Sequence, residues 1–386
     1  MKKKFITRSS IAVCAAVMIC GCNTDNGGNT FTGDKTKEPS YQANLNAITP
    51  SAYRSAEGLD LEPGTYISII GKDDSSAYWK TVEEGVEQAA KDLNDALGYS
   101  GDDKIKVMYN APDSVEDIDE QVNILDEELA RYPDALGIAS IDESASTVQF
   151  DLATENGIPI IALDSGNTYQ GIQCTCKTDN ADAAKTGAYK LSDEIEDSGE
   201  IVLFVHDSVS STAKEREESF KEEIAANHPD VTIAETIYCD QLEDLKKKAA
   251  EEMNEEKKEE EEITAEDLSD EDAIQYYLEK HPDVKGCFGT NITATQLALT
   301  TLRQMERTDD VVLMGFDAGK DQLEALKEGE ISGLVVQNPF GIGYSSVIAA
   351  ARTVLQIGNE AEVNTGYIWV TQENLDQESI QNMLYE

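Results

Sequence analysis

Short apolar runs alternate with segments of helical period along most of this chain, and this alternation limits the folds that it can adopt. The first series of apolar runs is "TYISIIG", "KIKVMYN", "ALGIAS", "IPIIAL" and "GIQCTCKT". Between them lie segments such as "AYWKTVEEGVEQAAKDLNDAL" and "SVEDIDEQVNILDEELARY", in which apolar residues recur at helical spacing. Strands that alternate with helices predict a parallel sheet covered by helices on both faces.

The pattern then begins a second time. Its apolar runs are "IVLFVH", "VTIAETIY", "GCFGTN", "VVLMGFD" and "ISGLVVQ", and a last strand candidate, "GYIWV", precedes a short terminal helix. The chain has 386 residues, which is enough for two domains of ordinary size. The sequence therefore predicts an α/β protein with two lobes of similar plan.

The formal net charge of −45 bears on the partners of the chain. Such an acidic surface repels nucleic acid and anionic membrane surfaces, so nucleic-acid binding is excluded. Much of the charge lies in "EEMNEEKKEEEEITAEDLSDEDA", an acidic helical insert over about residues 251–273. We favour a solvated helix face for this insert, and a cation or partner site is the alternative.

The N-terminus indicates export. A basic start, "MKKKFITRSS", precedes the apolar run "IAVCAAVMIC", which is too short to span a bilayer, so residues 1–21 are predicted to be a signal peptide. Small residues before Cys22 resemble a lipobox, which predicts lipidation of Cys22 and a membrane anchor; an ordinary signal peptide cut nearby is the alternative. Residues 22–60 lack an apolar period and are predicted to be a flexible tether, whose length suggests a Gram-positive cell surface.

Cysteine and histidine are scattered. The thiols beyond the leader are Cys174, Cys176, Cys239 and Cys287, which suggest neither a disulfide framework nor a zinc site. Cys174 and Cys176 are predicted to share one face of a strand, and His206 ends a strand where it can face a cleft. No His is paired with Ser or Cys, and there is no phosphate-binding loop. We therefore predict a protein that is not an enzyme and that holds no cofactor or metal.

Polar and aromatic residues follow the predicted strands, at the edge where open parallel sheets bind ligands. They are Lys72, Asp73, Asp74, Ser75, Ser76, Tyr78 and Trp79 after the first strand, and Asp164, Arg216, Asn291, Asp317 and Gln337 after later strands. Five of them have a structural alternative. The two rings can be buried against their own sheet, Asp164 and Asp317 can cap nearby loops, and Arg216 can pair with the glutamates beside it.

Several blocks of the sequence resemble the periplasmic-binding-protein type 1 sugar receptors of ABC importers, with the ribose and galactose receptors nearest. The blocks are "NGIPIIALDS", "KTDNADAAKTGAYKL", "TAKEREESF", "HPDVKGCFGTN", "VVLMGFDAG" and "GLVVQNPFGIGY", in family order over roughly residues 62–386 apart from the insert. The resemblance implies two Rossmann-like lobes with parallel sheets, linked by a hinge. It places the crossings near Thr178, near Gln337 and just after "GYIWV", so the N-terminal lobe is 61–178 with 338–370 and the C-terminal lobe is 179–337 with 371–386.

The resemblance also implies a ligand site. Tyr78 and Trp79 match the aromatic pair that sandwiches a sugar ring, and Asp164, Arg216, Asn291, Asp317 and Gln337 match the polar contacts of the family. The first turn departs from the family, since Ser76-Ala77 replaces Asn-Pro and "KDDSS" adds Asp73 and Asp74, so Asp73 and Ser76 join the predicted site. Ser165 stands where ribose receptors carry Arg. The ligand is therefore open: another pentose, a hexose, a polyol or a cation.

The function that this resemblance implies is a monomeric receptor that captures a sugar between two lobes and delivers it to the membrane subunits of an ABC permease. A sensor lipoprotein that docks on a membrane kinase or chemoreceptor is the alternative, because the same cleft serves both. A secreted enzyme would need a nucleophile and a base within hydrogen-bond reach, and the sequence offers no candidate pair.

Overall fold

The computed structural model describes residues 38–115, 117–256 and 262–385, and one compact unit runs from Ser40 to Glu386. The predicted signal peptide, Cys22 and the first part of the predicted tether lie outside the described residues. None of the described helices combines the length and the hydrophobicity that a membrane span requires.

Helices and strands alternate along the described chain as the apolar pattern predicts. In chain order they are α1 (Gln42–Ala47), β1 (Tyr66–Ile70), α2 (Ala77–Leu97), β2 (Lys106–Asn110), α3 (Ile118–Leu129), β3 (Ala135–Ile138), α4 (Thr147–Glu155), β4 (Ile160–Leu163), β5 (Ile172–Lys177), α5 (Asn180–Glu194), β6 (Gly199–Val205), α6 (Ser211–Asn227), β7 (Val231–Tyr238), α7 (Leu242–Glu256), α8 (Asp270–Lys280), β8 (Val284–Gly289), α9 (Ile292–Gln304), β9 (Val312–Phe316), α10 (Lys320–Glu328), β10 (Gly333–Gln337), α11 (Pro339–Val354), β11 (Glu362–Asn364), β12 (Tyr367–Val370) and α12 (Glu378–Gln381).

The strands form two six-stranded sheets, one in each lobe. The first lobe has the order β11-β5-β4-β3-β1-β2, and the second has the order β12-β10-β9-β8-β6-β7. All neighbouring strands are parallel except β12, which runs antiparallel to β10. Strands such as β3 and β4 are buried along their whole length because helices cover both faces, which explains their continuous apolar runs. The predicted fold of two parallel-sheet α/β lobes is confirmed.

The third crossing between the lobes lies before "YIWV" and not after it, so the predicted boundary at residue 370 is wrong. β11 pairs with β5 in the first sheet, whereas β12 pairs with β10 in the second. The chain changes sheets at Gly366, which has a φ of 80°. Trp369 then packs on Gly333, where an added Cβ would lie 2.1 Å from the Trp369 ring. This close packing holds β12 on the second sheet.

Residues 42–61 pack on the first lobe, so the predicted tether does not extend to residue 60. Leu45, Ile48, Tyr53 and Leu61 are each at most 5% exposed and belong to the core of that lobe. Asn44 lies in α1, and its side chain donates to Asn338 Oδ1 at 3.0 Å. The segment shows no apolar period because it wraps the lobe as a short helix and extended chain.

The acidic insert spans the end of α7 and the start of α8. Ala249, Ala273, Tyr276 and Tyr277 form a small buried cluster between these helices. Ser269 caps α8, so the two helices are separate elements and not one continuous insert helix.

The Cys174 and Cys176 sulfurs lie 4.0 Å apart on one face of β5, and both thiols are free, which confirms their predicted arrangement.

Candidate functional site

The turn that joins β1 to α2 is built from an aspartate and two serines. Asp73 Oδ1 accepts hydrogen bonds from the backbone N–H groups of Ser75 and Ser76 at 2.6 and 2.8 Å, and its Oδ2 accepts from Ser76 Oγ at 2.7 Å. Ser76 Oγ in turn accepts from the N–H of Trp79 at 3.4 Å and caps α2. Short polar side chains commonly satisfy the free N–H groups at a helix start in this way. Asp73 and Ser76, both predicted ligand contacts, therefore hold the turn together.

The turn between β6 and α6 repeats this arrangement in the second lobe. Asp207 Oδ1 accepts from the N–H groups of Val209 and Ser210 at 2.9 and 2.6 Å, and its Oδ2 accepts from Ser210 Oγ at 2.8 Å. Ser210 Oγ accepts from the N–H of Ala213 at 3.3 Å and caps α6. The two lobes thus use the same turn at equivalent strand ends.

Lys72 and His206 stand directly before the aspartates of these two turns. Lys72 is 8% exposed, and it makes no hydrogen bond or ion pair with another residue in the described part of the chain. Burial lowers the pKa of Lys72, Asp164 and Asp207 oppose this change, and Arg216 adds to it. Charges of both lobes therefore act on Lys72. An ammonium on a largely buried side chain without a direct partner is a donor that a ligand oxygen can satisfy.

His206 is the counterpart of Lys72 in the second lobe. Its Nδ1 lies 2.7 Å from Thr290 Oγ1. Burial, helped by the charges of Arg216 and Lys72 and opposed by Asp207, lowers the pKa of His206 to about 3. The ring is therefore neutral at neutral pH. The sequence places Lys72 at a strand end and His206 where it can face a cleft, but the predicted set of ligand contacts includes neither residue. In the structure each directly precedes an Asp whose turn leads to a serine-capped helix.

Tyr78 links the start of α2 to the end of β4. Its Oη donates to Asp164 Oδ1 at 2.5 Å, and its ring packs against the cores of both lobes. Asp164 has a left-handed backbone with a φ of 55°, and its N–H donates to the Cys176 carbonyl at 2.9 Å, which holds it at the sheet edge. Burial, together with the charges of Asp164 and Asp317, raises the pKa of Tyr78 well above its usual range. The phenol therefore stays protonated and donates to the carboxylate.

Trp79 has a different environment from its neighbour. It is 4% exposed and belongs to the core of the first lobe, with its ring edge-on to Tyr78 at a centroid distance of 5.4 Å. Trp79 is therefore buried against its own sheet, which was the structural alternative to ligand contact for both rings. Of the two aromatic residues, Tyr78 is the one that lies between the lobes.

Arg216 is held by three hydrogen bonds inside the second lobe. Its Nε donates to Asn180 Oδ1 at 2.8 Å, its Nη1 to the Thr290 carbonyl at 2.7 Å, and its Nη2 to Gln337 Oε1 at 2.7 Å. The guanidinium lies over the Phe316 ring, 4.2 Å from its centroid. The structural alternative for Arg216, pairing with the glutamates beside it, is not the arrangement among the described residues. Glu215 pairs with Lys177, and Glu217 pairs with Lys221.

Asp317 and Gln337 end adjacent strands beside Arg216. Gln337 Nε2 donates to Asp317 Oδ1 at 2.7 Å, and Asp317 Oδ2 accepts from the N–H of Ile292 at 2.9 Å. Asn291 caps α9 through a bond from the N–H of Ala294 at 2.8 Å. Burial raises the pKa of Asp317, and Arg216, Gln337, Tyr385 and the Ile292 N–H oppose that change. Asp317 therefore supports the start of α9 and also faces the basic side of the site.

Direct contacts join the two lobes around these residues. Ser211 Oγ at the start of α6 donates to the Gly166 carbonyl at 3.1 Å, and the Thr212 and Ser165 hydroxyls are 3.3 Å apart. The lobes are therefore closed on each other in this structure. Ser165 lies at this contact, in the position where the resembling ribose receptors carry Arg.

The structure brings Tyr78 and Asp164 of the first lobe together with Arg216, Asp317 and Gln337 of the second. Two cavities of about 560 and 670 Å³ lie at the opposite, amino-terminal strand edges and contain none of these residues. Among the residues that the structure describes, no group of three or more His, Cys, Asp or Glu side chains is placed to hold a metal. The site combines carboxylate acceptors, cationic and amide donors and an aromatic face, which together suit a polyhydroxylated ligand.

Comparison with known proteins places this fold in a family. Residues 67–359 match the periplasmic binding protein domain. The ribose import binding protein RbsB of Escherichia coli is 22% identical over 312 residues, which are 80% of this chain and 90% of that protein.

Two solved structures share the fold. A carbohydrate transporter solute-binding protein of Agrobacterium radiobacter, in complex with D-arabinose, is 25% identical with a TM-score of 0.67, and the match covers 83% of this chain and 98% of that one. An ABC transporter solute-binding protein of Agrobacterium vitis, bound with α-D-tagatopyranose, is 24% identical with a TM-score of 0.69 and shares 83% and 99% of the two chains.

Proposed function

The chain belongs to the periplasmic binding protein domain family, and from this membership we propose that it is an extracytoplasmic receptor that captures a sugar between its two lobes for an ABC importer. The family consists of substrate-binding transport proteins. Relatives of this chain are named for the import of ribose or D-apiose, and related structures hold D-arabinose, D-fucose or α-D-tagatopyranose. We propose a monosaccharide ligand of this general size.

One observation carries the proposal: carboxylates at the strand ends of both lobes converge with Arg216 and Tyr78 at a single interface. Asp164 faces the interface from the first lobe through Tyr78, and Asp317 faces it from the second lobe beside Gln337. Carboxylates accept hydrogen bonds from sugar hydroxyls, and cationic side chains donate to sugar oxygens with charge-assisted strength. The Tyr78 ring provides an apolar surface for the C–H face of a sugar.

Lys72 extends this proposed set of ligand contacts. Lys72 lies at the first strand end, is 8% exposed, and has no hydrogen-bond or ion-pair partner among the described residues. Hydroxyl or ring oxygens of a sugar would supply the missing acceptor. The carboxylates around it leave the cleft without an excess of positive charge, which favours a neutral sugar over an acidic one.

The proposed mechanism is closure of the two lobes on the ligand. Three chain segments connect them, at Thr178, at Gln337–Asn338 and at Gly366, and Thr178 Oγ1 donates to Gln337 Oε1 at 3.0 Å where two segments meet. Rotation at these segments would separate Tyr78 and Asp164 from Arg216 and Asp317. A ligand that contacts both sets favours the closed form by its differential affinity.

The membrane attachment and the partners follow from the same proposal. Lipidation of Cys22 would hold the receptor at the outer face of the membrane, on a Gram-positive cell surface, near the permease subunits that receive the sugar. We propose that the receptor acts as a monomer without enzymatic activity. Apart from Lys72, the charged residues of the cleft are engaged in hydrogen bonds, an arrangement that suits binding rather than chemistry.

A thermal-shift and calorimetric screen tests the function. The chain from residue 23 onward, which keeps every described residue, is titrated with D-ribose, D-arabinose, D-fucose, D-tagatose, other pentoses and hexoses, amino acids and cationic solutes. A ligand at a hundredfold excess over its Kd stabilises the native state by about 2.7 kcal/mol. We expect a shift with a sugar that is lost in Asp164→Asn and retained in Asp151→Asn, whose carboxylate lies on the surface helix α4 and accepts from Tyr169. A shift only with amino acids or cations would refute the sugar assignment.

A further inference from the structure

The last residues of the chain return to the cleft. After β12, Asn374 closes a turn by accepting from the N–H of Thr371 at 2.8 Å and donating to the Trp369 carbonyl at 2.9 Å. Leu375 and Tyr385 are then buried, 3% and 4% exposed, in the core of the second lobe. Leu375 and Tyr385 therefore anchor the tail on the second lobe, although residues 376–379 between them are exposed, and the tail brings Tyr385 to the strand ends of the lobe.

Tyr385 contacts a predicted ligand residue in each lobe. Its Oη donates to Asp317 Oδ1 at 2.9 Å, the same oxygen that accepts from Gln337 Nε2 at 2.7 Å. Its ring meets the Tyr78 ring edge-on, with centroids 5.5 Å apart and planes at 80°. Trp79, Tyr78 and Tyr385 thus form a continuous series of edge-on rings from the core of the first lobe to that of the second.

We propose that Tyr385 is a positioning residue of the ligand site, which holds the Asp317 carboxylate in its charged, oriented form and provides the surface on which Tyr78 closes. No predicted contact includes the tail, and the proposal rests on the sugar-receptor function proposed above. It makes the C-terminal residues of the chain part of the binding site.

The physical argument concerns a carboxylate in a buried environment. Burial raises the pKa of Asp317, and the hydrogen bonds from Gln337 and Tyr385 and the charge of Arg216 act in the opposite direction. Without the phenol, Asp317 would take up a proton at a higher pH. It would also lose one of the two side chains that fix its Oδ1. A sugar hydroxyl that donates to Asp317 needs both the charge and the orientation.

The test compares Tyr385→Phe with Tyr344→Phe in the chain from residue 23 onward. Tyr344 is a matched control, because it is 1% exposed and its Oη also donates to a carboxylate, Asp92 Oδ2 at 2.9 Å, but within the first lobe and away from the cleft. The probes are D-ribose, D-arabinose, D-fucose and D-tagatose. Calorimetry measures the Kd of each probe for each protein from mildly acidic to neutral pH.

For any probe that binds the wild-type protein, Tyr385→Phe is expected to weaken binding about tenfold, the effect of losing one hydrogen bond to a charged group. The low-pH limb of its binding profile is expected to move to higher pH. Tyr344→Phe is expected to leave both the Kd and the profile in place. A purely structural Tyr385 would lower stability without moving the profile. An unchanged Kd and profile in Tyr385→Phe would overturn the proposal.

A measurement without ligand separates this proposal from the proposed function. If no probe binds the wild-type protein, the sugar-receptor function fails for these sugars, and urea unfolding of the ligand-free proteins decides the role of Tyr385. Tyr385→Phe is then expected to reduce the folding equilibrium constant more at neutral than at acidic pH, because the lost bond stabilises only the charged Asp317. An equal reduction at both pH values would overturn the positioning role.

Discussion

Arg216 Nη2 donates to Gln337 Oε1 at 2.7 Å, and the same oxygen accepts from Thr178 Oγ1 at 3.0 Å. Gln337 and Thr178 stand at two of the three chain segments that join the lobes. A guanidinium predicted to contact ligand is thus bonded to the hinge itself. A ligand that contacts Arg216, as we propose, would therefore act on the segments that join the lobes.

Replacement of Arg216 by Lys is expected to destabilise the protein by about 2–4 kcal/mol, because Lys cannot serve Asn180, the Thr290 carbonyl and Gln337 together and leaves buried acceptors unpaired. Urea unfolding measures the change, and calorimetry should show weakened sugar binding. Arg303→Lys is the control, since Arg303 forms a surface pair with Glu330. We expect that variant to lose less than about 1 kcal/mol. Similar losses in the two variants would contradict a special role for Arg216.

Removal of the Tyr78 hydroxyl is expected to weaken sugar binding about tenfold while the fold is kept. Tyr78→Phe leaves the ring between the lobes but frees Asp164 Oδ1 from its 2.5 Å hydrogen bond, so the carboxylate loses its orientation. Calorimetry with a sugar that binds the wild-type protein measures the effect. Tyr169→Phe removes a similar bond, to Asp151 on the surface at 2.9 Å, and should bind normally. Equal affinities in all three proteins would argue against Asp164 as a ligand contact.

Lys72→Met is expected to have opposite effects on stability and on binding. The Lys72 side chain is 8% exposed and has no ion pair among the described residues, so its replacement by an apolar side chain of similar length should stabilise the ligand-free protein by about 1–2 kcal/mol. Sugar binding should weaken at least tenfold if Lys72 donates to the ligand. Lys104→Met, at an exposed position, should change neither quantity. A variant that is destabilised and still binds normally would assign Lys72 to the fold.

Stability is expected to fall as the pH drops through the range in which an unfolded histidine gains a proton. His206 has a pKa lowered to about 3 from its ordinary 6.5, so between these values the unfolded chain binds a proton at this residue and the native protein does not. This contribution is fully present above about pH 6.5 and is lost progressively toward pH 3. Urea unfolding at several pH values should show a shallower slope in His206→Gln. An unchanged slope in His206→Gln would contradict this account.

Removal of residues 38–61 is expected to destabilise the first lobe by on the order of 5 kcal/mol, because Leu45, Ile48, Tyr53 and Leu61 bury their side chains in its core. Thermal unfolding of a chain that begins at residue 62 should show the loss. A chain that begins at residue 38 keeps the packed segment and is the reference for this comparison. Equal midpoints would mean that the segment adds no stability.

Much of the fold and part of the site follow from local patterns. The alternation of apolar runs with helical segments predicts both parallel sheets. Side chains return to the same face every two residues in a strand and every 3.6 residues in a helix, and this spacing depends on backbone geometry alone. Asp164, Asp317 and Gln337 could be singled out because each stands at the end of a strand or directly after it, where such sheets bind ligands. Arg216 lies within α6 and was singled out by its block of family resemblance. No local pattern distinguishes Tyr78 from Trp79. Adjacent residues at a helix start point in different directions, and the direction depends on how the helix lies on its sheet.

The sequence by itself determined the two sheets, the strand-end residues and the cap motifs, because these depend on residues close together in the chain. Only the tertiary structure decided that residues 42–61 pack on the first lobe, that β12 pairs with the second sheet, and that Tyr385 meets Asp317 and Tyr78. These are contacts between distant parts of the chain. They form because each buries apolar surface or satisfies a buried polar group that local structure leaves exposed, and one sequence carries no periodic signal of such pairings.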